Sequence, residues 1–212
     1  MSETYVHHRI TTEPRQWKAV ADALQTSAAA GQGALYGVWR SQIGRPRDEL
    51  TAMTVWSDAG AAAKAEAALL GGVSGVRDCA SEPMAPTLRP AISAPPRRQG
   101  NYAFRWFETP AAHWPEFLDL CAGAWPGFEA AYDSQVIGLW RSLEDGGAAC
   151  RSLLLTRRPD LAMWERSKIP AGAAEAEVRR KLSRRYDLCD WTVVYTTTLL
   201  TAEDREDTAR WT

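Results

Sequence analysis

Histidine is scarce in this 212-residue chain, and its four cysteines are scattered. The histidines are His7, His8 and His113, and the sequence holds no C-x-x-C pair. Zinc sites are built from clustered Cys and His ligands, so this pattern argues against one and suits reduced thiols. The sequence also lacks a G-x-S-x-G elbow and a G-x-x-x-x-G-K-[ST] loop. These absences argue against hydrolytic triads and phosphate-cradling loops.

Neither charge nor hydropathy points to a nucleic acid or a membrane. Lys and Arg number 25 against 26 Asp and Glu, whereas nucleic-acid binders concentrate a basic excess. The most basic stretch, 179–185, is flanked by acidic residues and predicts a solvated helix face. No window approaches the roughly 18 apolar residues that span a bilayer, and 1–4 lacks the features of a signal peptide. We therefore expect a cytoplasmic protein.

The chain instead contains a repeat that is rich in tryptophan. Residues 35–41 (LYGVWRS) recur 101 positions later as 136–142 (VIGLWRS), with Gly, Trp, Arg and Ser identical. Tyr5 and Trp17 likewise recur as Tyr102 and Trp114, each 97 positions later. Internal repetition of this kind decides the architecture. It predicts two copies, 1–97 and 98–212, joined by a proline-rich connector.

Each copy has the pattern order β-α-β-β-α-β, which is the ferredoxin-like arrangement. Asp58 and Asp160 stand where the second helix of each copy would begin, and both are plausible N-caps. The predicted strands are 5–11, 35–41, 50–56 and 82–88 in the first copy and 102–107, 136–142, 150–156 and 191–200 in the second.

The predicted fold class is therefore α+β, with two tandem repeats that form a pseudo-dimeric α/β barrel. A four-stranded sheet covered by helices on one face leaves the other face bare, and two fused copies can bury both bare faces. The chain then needs no partner to close its barrel. We expect a monomer or a weak homodimer, with Trp125 or Trp211 exposed in any second interface.

The segment 35–44, followed by 50–56 and Ser57, resembles the central hairpin of the NIPSNAP family. The end of the first copy, 86–90 (PTLRP), resembles that family's closing strand. The second copy departs from the pattern, because Arg157 replaces the Trp that ends the first copy's strand at Trp56.

The resemblance implies a relative of the dimeric α/β-barrel proteins. That superfamily includes cofactor-independent monooxygenases of antibiotic biosynthesis and haem-dependent dismutase-like enzymes of two fused repeats. The NIPSNAP branch itself has no settled chemistry, and fold alone cannot supply one. A two-repeat haem enzyme of this kind would need a ligand His late in its second repeat, and none follows His113. We therefore expect no cofactor.

The enzyme hypothesis is a cofactor-independent monooxygenase that acts on a small aromatic or polyketide-like molecule. Such a protein supplies a dry pocket, a base and an anion stabiliser. The candidates are His7 or His8 as the base, Arg105 or Arg40 for the anion, and Tyr36, Trp39, Trp56, Trp106 and Trp140 as aromatic walls.

A structural interpretation competes at every one of these positions. Ten Trp in 212 residues can equally be core residues, and each Arg can pair with a nearby carboxylate. A non-catalytic ligand-binding or interaction module is the alternative function, because the copies do not share acid–base residues. The sequence leaves open whether the protein is an enzyme.

Overall fold

The structure is a computed structural model and describes residues 3–28 and 33–205. These residues form eight strands and six α-helices, with a short 3-10 turn before α4. The strands are β1 (Thr4–Thr12), β2 (Ala34–Ile43), β3 (Glu49–Trp56), β4 (Val76–Arg89), β5 (Asn101–Pro110), β6 (Gln135–Ser142), β7 (Ala149–Arg158) and β8 (Trp191–Leu199). The helices are α1 (Trp17–Ala28), α2 (Ala59–Ala62), α3 (Ala65–Leu70), α4 (Trp114–Tyr132), α5 (Leu161–Arg166) and α6 (Ala173–Asp187).

The first compact unit comprises the described residues of 1–85, 92–99 and 196–212. Its sheet pairs β4 with β1, β1 with β3, β3 with β2, and β2 with the last residues of β8, all antiparallel. The helices α1 and α3 cover one face of this sheet. Their apolar side chains pack there against Ile10, Val38 and Leu50, which are fully buried.

The second compact unit comprises 86–91 and 100–195. Here β7 lies between β5 and β6, both antiparallel to it. The start of β8 joins β5, where Thr192 Oγ1 donates to the Trp106 carbonyl at 2.7 Å. The end of β4 joins β6, where Thr87 Oγ1 donates to the Leu139 carbonyl at 2.7 Å. The hydrogen-bonded strand order is β1-β3-β2-β8-β5-β7-β6-β4, and β4 pairs with β1.

Two helices approach each other closely above the second sheet. A Cβ atom on Gly127 of α4 would lie only 2.7 Å from Val178 Cγ2 of α6. Glycine therefore allows the two helices to pack at this point, and α6 becomes part of the layer over the sheet.

The Gly-x-Trp motif has a packing explanation in both units. Trp39 and Trp140 are fully buried, and each indole lies across the glycine two residues earlier on the same face of its strand. A Cβ atom on Gly37 or Gly138 would collide with that ring. The repeated motif therefore encodes a buried Trp that requires a glycine beside it.

Several local predictions are confirmed and others need adjustment. Asp58 and Asp160 are the N-caps of α2 and α5, accepting from Ala61 N at 2.8 Å and Met163 N at 2.7 Å. The second helix of the first copy, expected to begin after Asp58, is divided into α2 and α3, and β4 is longer than the predicted strand 82–88. Trp125, expected on the surface, is 3% exposed, and Trp211 lies outside the described residues. Among the described residues, no helix is both long and apolar enough to cross a membrane.

Candidate functional site

A cavity of about 460 Å³ lies within the second unit, between its sheet and the helices α4, α5 and α6. Concave sites of this size with converging charged groups are where small molecules bind. The lining residues are Ala103, Arg105, Phe107, Trp125, Phe128, Val136, Leu154, Thr156, Arg158, Trp164, Ser167, Lys168, Arg179, Leu182, Ser183, Arg185, Tyr186 and Asp187.

The lining has four arginines and one lysine but a single carboxylate, Asp187. Arg105 on β5 and Arg158 at the end of β7 rise from the sheet, while Arg179 and Arg185 come down from α6. The whole chain carries a net charge of only −1. This basic cluster is therefore a property of the cavity and not of the protein surface in general.

The guanidinium groups of the buried Arg185 and the half-buried Arg158 are short of acceptors. Arg158 Nη1 donates to Thr156 Oγ1 at 3.1 Å, and Arg185 Nη1 contacts Cys121 Sγ at 3.6 Å. The Nε atoms of both arginines are buried without a hydrogen-bond partner among the described residues. No described carboxylate forms an ion pair with Arg105, Arg158 or Arg185. Unsatisfied buried donors cost free energy, which an acceptor on a ligand would recover.

Burial and mutual repulsion both act on these arginines. Burial, reinforced by the nearby Arg185 and Arg179, lowers the pKa of Arg105 to about 10. Burial, reinforced by Arg105, lowers the pKa of Arg158 to about 10. Both groups are half-buried and keep their charge at neutral pH, so like charges are held near one another with only part of their surface in water. An anion bound among them would be strongly favoured.

Aromatic rings accompany the guanidinium groups. Arg158 Cζ lies 4.8 Å from the ring centroid of Trp164 and 5.1 Å from that of Phe128. Arg185 Cζ lies 4.9 Å from the centroid of Phe107. Trp125, almost fully buried, adds a further wall from α4. Flat apolar surfaces beside positive charge suit a planar aromatic anion.

Of the nine residues predicted for a site, Arg105 lines this cavity and the other eight do not. Three of those eight, His8, Arg40 and Trp56, lie on the helix-covered face of the first unit. Arg40 is 4% exposed, and its Cζ lies 3.7 Å from the ring centroid of Trp17. Its charge is therefore engaged with an aromatic core residue.

His8 stands inside a directional hydrogen-bond chain. Trp56 Nε1 donates to Thr54 Oγ1 at 2.8 Å, which leaves the Thr54 hydroxyl to donate to His8 Nε2 at 3.0 Å. His8 Nδ1 then donates to Ser81 Oγ at 2.8 Å, and Ser81 donates to Glu66. Burial lowers the pKa of His8 from 6.5 to about 4. His8 is thus a neutral core histidine with both ring nitrogens occupied.

The remaining five predicted residues lie on the opposite face of their sheets. His7, Tyr36 and Trp39 do so in the first unit, where Tyr36 meets Tyr5 edge-on at 5.3 Å. Trp106 and Trp140 do so in the second unit, because neighbouring strand residues point to opposite faces and Arg105 faces the cavity. All five are buried.

Sequence reasoning missed Arg158, Arg185, Trp125 and Trp164. The basic stretch on α6 was expected to be a solvated face, and this holds for Arg180 and Arg184, which are exposed in ion pairs. It is wrong for Arg179 and Arg185, which line the cavity. The helical periodicity of α6 could have revealed this difference. Arg180 and Arg184 are one turn apart and share the exposed side of the helix, whereas Arg179 and Arg185 do not lie on that side.

A haem group does not fit this cavity. Haem iron needs an axial His, Cys, Met or Tyr ligand. The lining contains no His, Cys or Met, and its one tyrosine, Tyr186, is 60% exposed. Nor do the described residues contain a cluster of His, Cys, Asp or Glu able to hold a metal ion.

No protein family and no curated protein matches this sequence. Solved structures do match over nearly the whole chain. A "putative monooxygenase" from Lactobacillus acidophilus NCFM has a TM-score of 0.62 at 9% identity, covering 95% of this chain and 98% of its own. An anthrone oxidase-like protein has a TM-score of 0.64 at 13% identity, covering 94% and 92%. A variant of chlorite dismutase from Candidatus Nitrospira defluvii has a TM-score of 0.61 at 7% identity, covering 93% and 91%.

At these identities the likeness shows the fold. The eight antiparallel strands and six helices of the described residues match the α/β-barrel fold of these neighbours.

Proposed function

We propose that the second unit binds a small aromatic or polyketide-like anion in its cavity, and that the protein is a monooxygenase-type enzyme acting on that molecule without a cofactor. The observation that carries this proposal is a group of arginines that have no carboxylate partner among the described residues and are set among aromatic rings: the buried Arg185 and the half-buried Arg105 and Arg158. Neighbours named "putative monooxygenase" and "anthrone oxidase-like protein" share the fold and support the choice of reaction.

The arginines would hold the substrate as its phenolate or enolate. Nearby positive charge and donated hydrogen bonds both favour the charged form of an acid, so they lower the substrate's own pKa. The proton released on binding would leave through the mouth, where the exposed Asp187 is the carboxylate of the lining. In this scheme no buried histidine is required, and the role of anion stabiliser belongs to Arg105.

The reaction balances without an external reductant. The electron-rich anion reduces dioxygen, and a C–O bond forms at the activated carbon. The O–O bond then breaks, and the second oxygen leaves as water with two hydrogens taken from the substrate. The net change turns a CH₂ group into a carbonyl. The protein would contribute anion stabilisation from Arg105, Arg158 and Arg185 and a dry aromatic wall from Trp125 and Trp164.

A second candidate function is non-catalytic binding of the same anion. It is favoured by the shortage of acid–base groups in the lining, which contains Asp187 but no His or Cys. The two candidates share the ligand site and differ only in turnover.

We further propose that the chain consists of two tandem ferredoxin-like repeats, 1–97 and 98–212, similar to the NIPSNAP family. The support is the matching element order β1-α1-β2-β3-α2-α3-β4 and β5-α4-β6-β7-α5-α6-β8. A monomer or weak homodimer and a cytoplasmic location are part of the same proposal.

The test combines thermal-shift titration of the full chain with 1,8-dihydroxyanthrone and oxygen uptake on the same compound. We expect stabilisation and oxygen uptake above the uncatalysed oxidation. Arg105→Met should weaken the affinity obtained from the thermal-shift titration and slow the oxygen uptake, each by about 10- to 100-fold, because a hydrogen bond to a charged group contributes about 1.5–3 kcal/mol. Arg180→Met removes the same charge from an exposed position of α6 and should change neither.

Stabilisation without oxygen uptake would assign the protein to the binding class. If neither appears with this compound or with other hydroxylated aromatic anions, the proposed function is wrong.

A further inference from the structure

Two basic residues of the cavity, Arg105 and Arg158, lie at different positions along the strands that form its floor. On β5 and β7, Arg105 pairs with Leu154 and Asn101 pairs with Arg158, so the two arginines are four residues apart along the same face. At roughly 3.4 Å per residue, their Cα atoms stand about 13–14 Å apart in the strand direction. Between them lies the pair Ala103 and Thr156, whose side chains are short.

One basic end of the cavity is built around Arg105. Phe107, two residues further along the same face of β5, carries the guanidinium of Arg185 over its ring at 4.9 Å. Arg185 is 7% exposed, and its Nε has no hydrogen-bond partner among the described residues. Arg105 and Arg185 therefore converge at this end.

The other basic end is built around Arg158. Its guanidinium lies over Trp164 at 4.8 Å and over Phe128 at 5.1 Å, and its Nε is buried without a hydrogen-bond partner in the described part of the chain. Lys168, which follows α5, belongs to the same lining. This end is thus a second place where an acidic group would be held.

The middle of the cavity is apolar and flat. Its floor is the pair Ala103 and Thr156 on neighbouring strands, and Val136 and Trp125 border it. We expect a planar ring system to lie along this floor, between the two ends.

We propose that the ligand carries two acidic groups, one at each end of a planar aromatic ring system. This inference rests on the proposed function and names its substrate class. A single acidic group would neutralise one end and leave the guanidinium at the other end without an anionic partner. Two groups satisfy both ends, and they match a lining with five basic side chains and one carboxylate.

The test is a set of three naphthalene probes titrated calorimetrically into the full chain. Methyl 2-naphthoate has no acidic group, 2-naphthoate has one, and naphthalene-2,6-dicarboxylate has two at opposite ends. We expect the dicarboxylate to bind at least 10-fold more tightly than the monocarboxylate, and the ester to bind most weakly. Arg158→Met should remove the advantage of the second carboxylate, and Arg180→Met should leave the order and the affinities unchanged.

The salt dependence of the wild-type chain provides a measurement that needs no variant. The affinity of the dicarboxylate should fall about twice as steeply with the logarithm of salt concentration as that of the monocarboxylate.

Equal affinities and equal salt slopes for the two acids, both lost in Arg105→Met, would overturn the two-acid inference and leave the proposed function standing. Absence of binding by all three probes would count against both. Tight binding of the ester would show that charge does not select the ligand and would overturn the inference.

Discussion

The two units present the same sheet face to their helices and use it in opposite ways. In the first unit this face is packed core, whereas in the second it is the floor of a cavity. The strand registers align four positions between the units: Val6 with Ala103, His8 with Arg105, Thr54 with Thr156, and Trp56 with Arg158.

The two units share a threonine, Thr54 or Thr156, and this shows that few residues distinguish the packed face from the cavity. Trp56 Nε1 donates to Thr54 Oγ1 at 2.8 Å, and Arg158 Nη1 donates to Thr156 Oγ1 at 3.1 Å. The indole of Trp56 fills its space against Ala62 and Ala65 of the short helices α2 and α3. In the second unit, Arg158 has a thinner side chain than Trp56, and Ala103 is smaller than Val6. Both differences leave space beside the sheet. Three substitutions within one framework thus accompany the change from core to candidate site.

The largest effect should come from truncating the tryptophan that fills the first unit. Trp56 is 5% exposed, and Trp56→Ala should lower the free energy of unfolding by about 3–5 kcal/mol through lost burial and a new cavity. Trp164→Ala removes a half-buried wall of an existing cavity and should cost about 1 kcal/mol. Urea denaturation of both variants measures the difference. Equal losses would mean that the first unit is no better packed here than the second.

The next largest effect should appear when the pH is lowered, because His8 is held neutral at the position where the second unit has the charged Arg105. The pKa of His8 is lowered to about 4 in the folded state, so the unfolded chain takes up a proton first as the pH falls below about 6.5. Stability from neutral His8 is therefore complete above pH 6.5 and is lost between there and pH 4. The loss is about 3 kcal/mol, at 1.36 kcal/mol per pKa unit. Protonating Nε2 would also deprive the Thr54 hydroxyl of its acceptor.

The measurement is the free energy of unfolding at pH 7 and pH 4 for the wild type and for His8→Gln. The variant should lose about 3 kcal/mol less than the wild type over this range. His113→Gln, at an exposed histidine, should follow the wild type. If His8→Gln also follows the wild type, then His8 is not held neutral by its surroundings.

Much of the fold was predictable because it rests on local rules. Periodicity placed the strands, Asp58 and Asp160 marked helix starts, and the repeated Gly-x-Trp pattern marked equivalent strands. These features depend on neighbours in the chain, so a single sequence reveals them.

The candidate site was less predictable, because the second hairpin is one residue longer than the first and this changes which arginine faces the cavity. An offset of 101 between the copies sets Arg157 against Trp56. The registers show that the second hairpin is one residue longer, so Arg158 is the counterpart of Trp56. A shift of one residue moves a side chain to the other face of the sheet. Arg157 therefore points away from the cavity that Arg158 lines. The partners of Arg158 on α5, and Arg185 on α6, depend on tertiary packing that no local pattern encodes.

The smallest expected effect is a gain in the free energy of unfolding, whereas the first two predictions are losses. Arg105 is held with Arg179 and Arg185 nearby and without a carboxylate partner in the described residues, and its lowered pKa reports the cost of that environment. Replacing buried charge with an apolar side chain of similar length often stabilises a protein, so Arg105→Met should raise the free energy of unfolding by about 1–2 kcal/mol at neutral pH. The same substitution should weaken anion binding, as expected where a binding site is maintained at a cost in stability.

Urea denaturation without ligand measures the free energy of unfolding. The control is Arg180→Met, which loses an exposed ion pair and should change this free energy by less than about 0.5 kcal/mol. A marked destabilisation by Arg105→Met would show that the guanidinium supports the packing of the second unit, and that its function is not confined to a ligand.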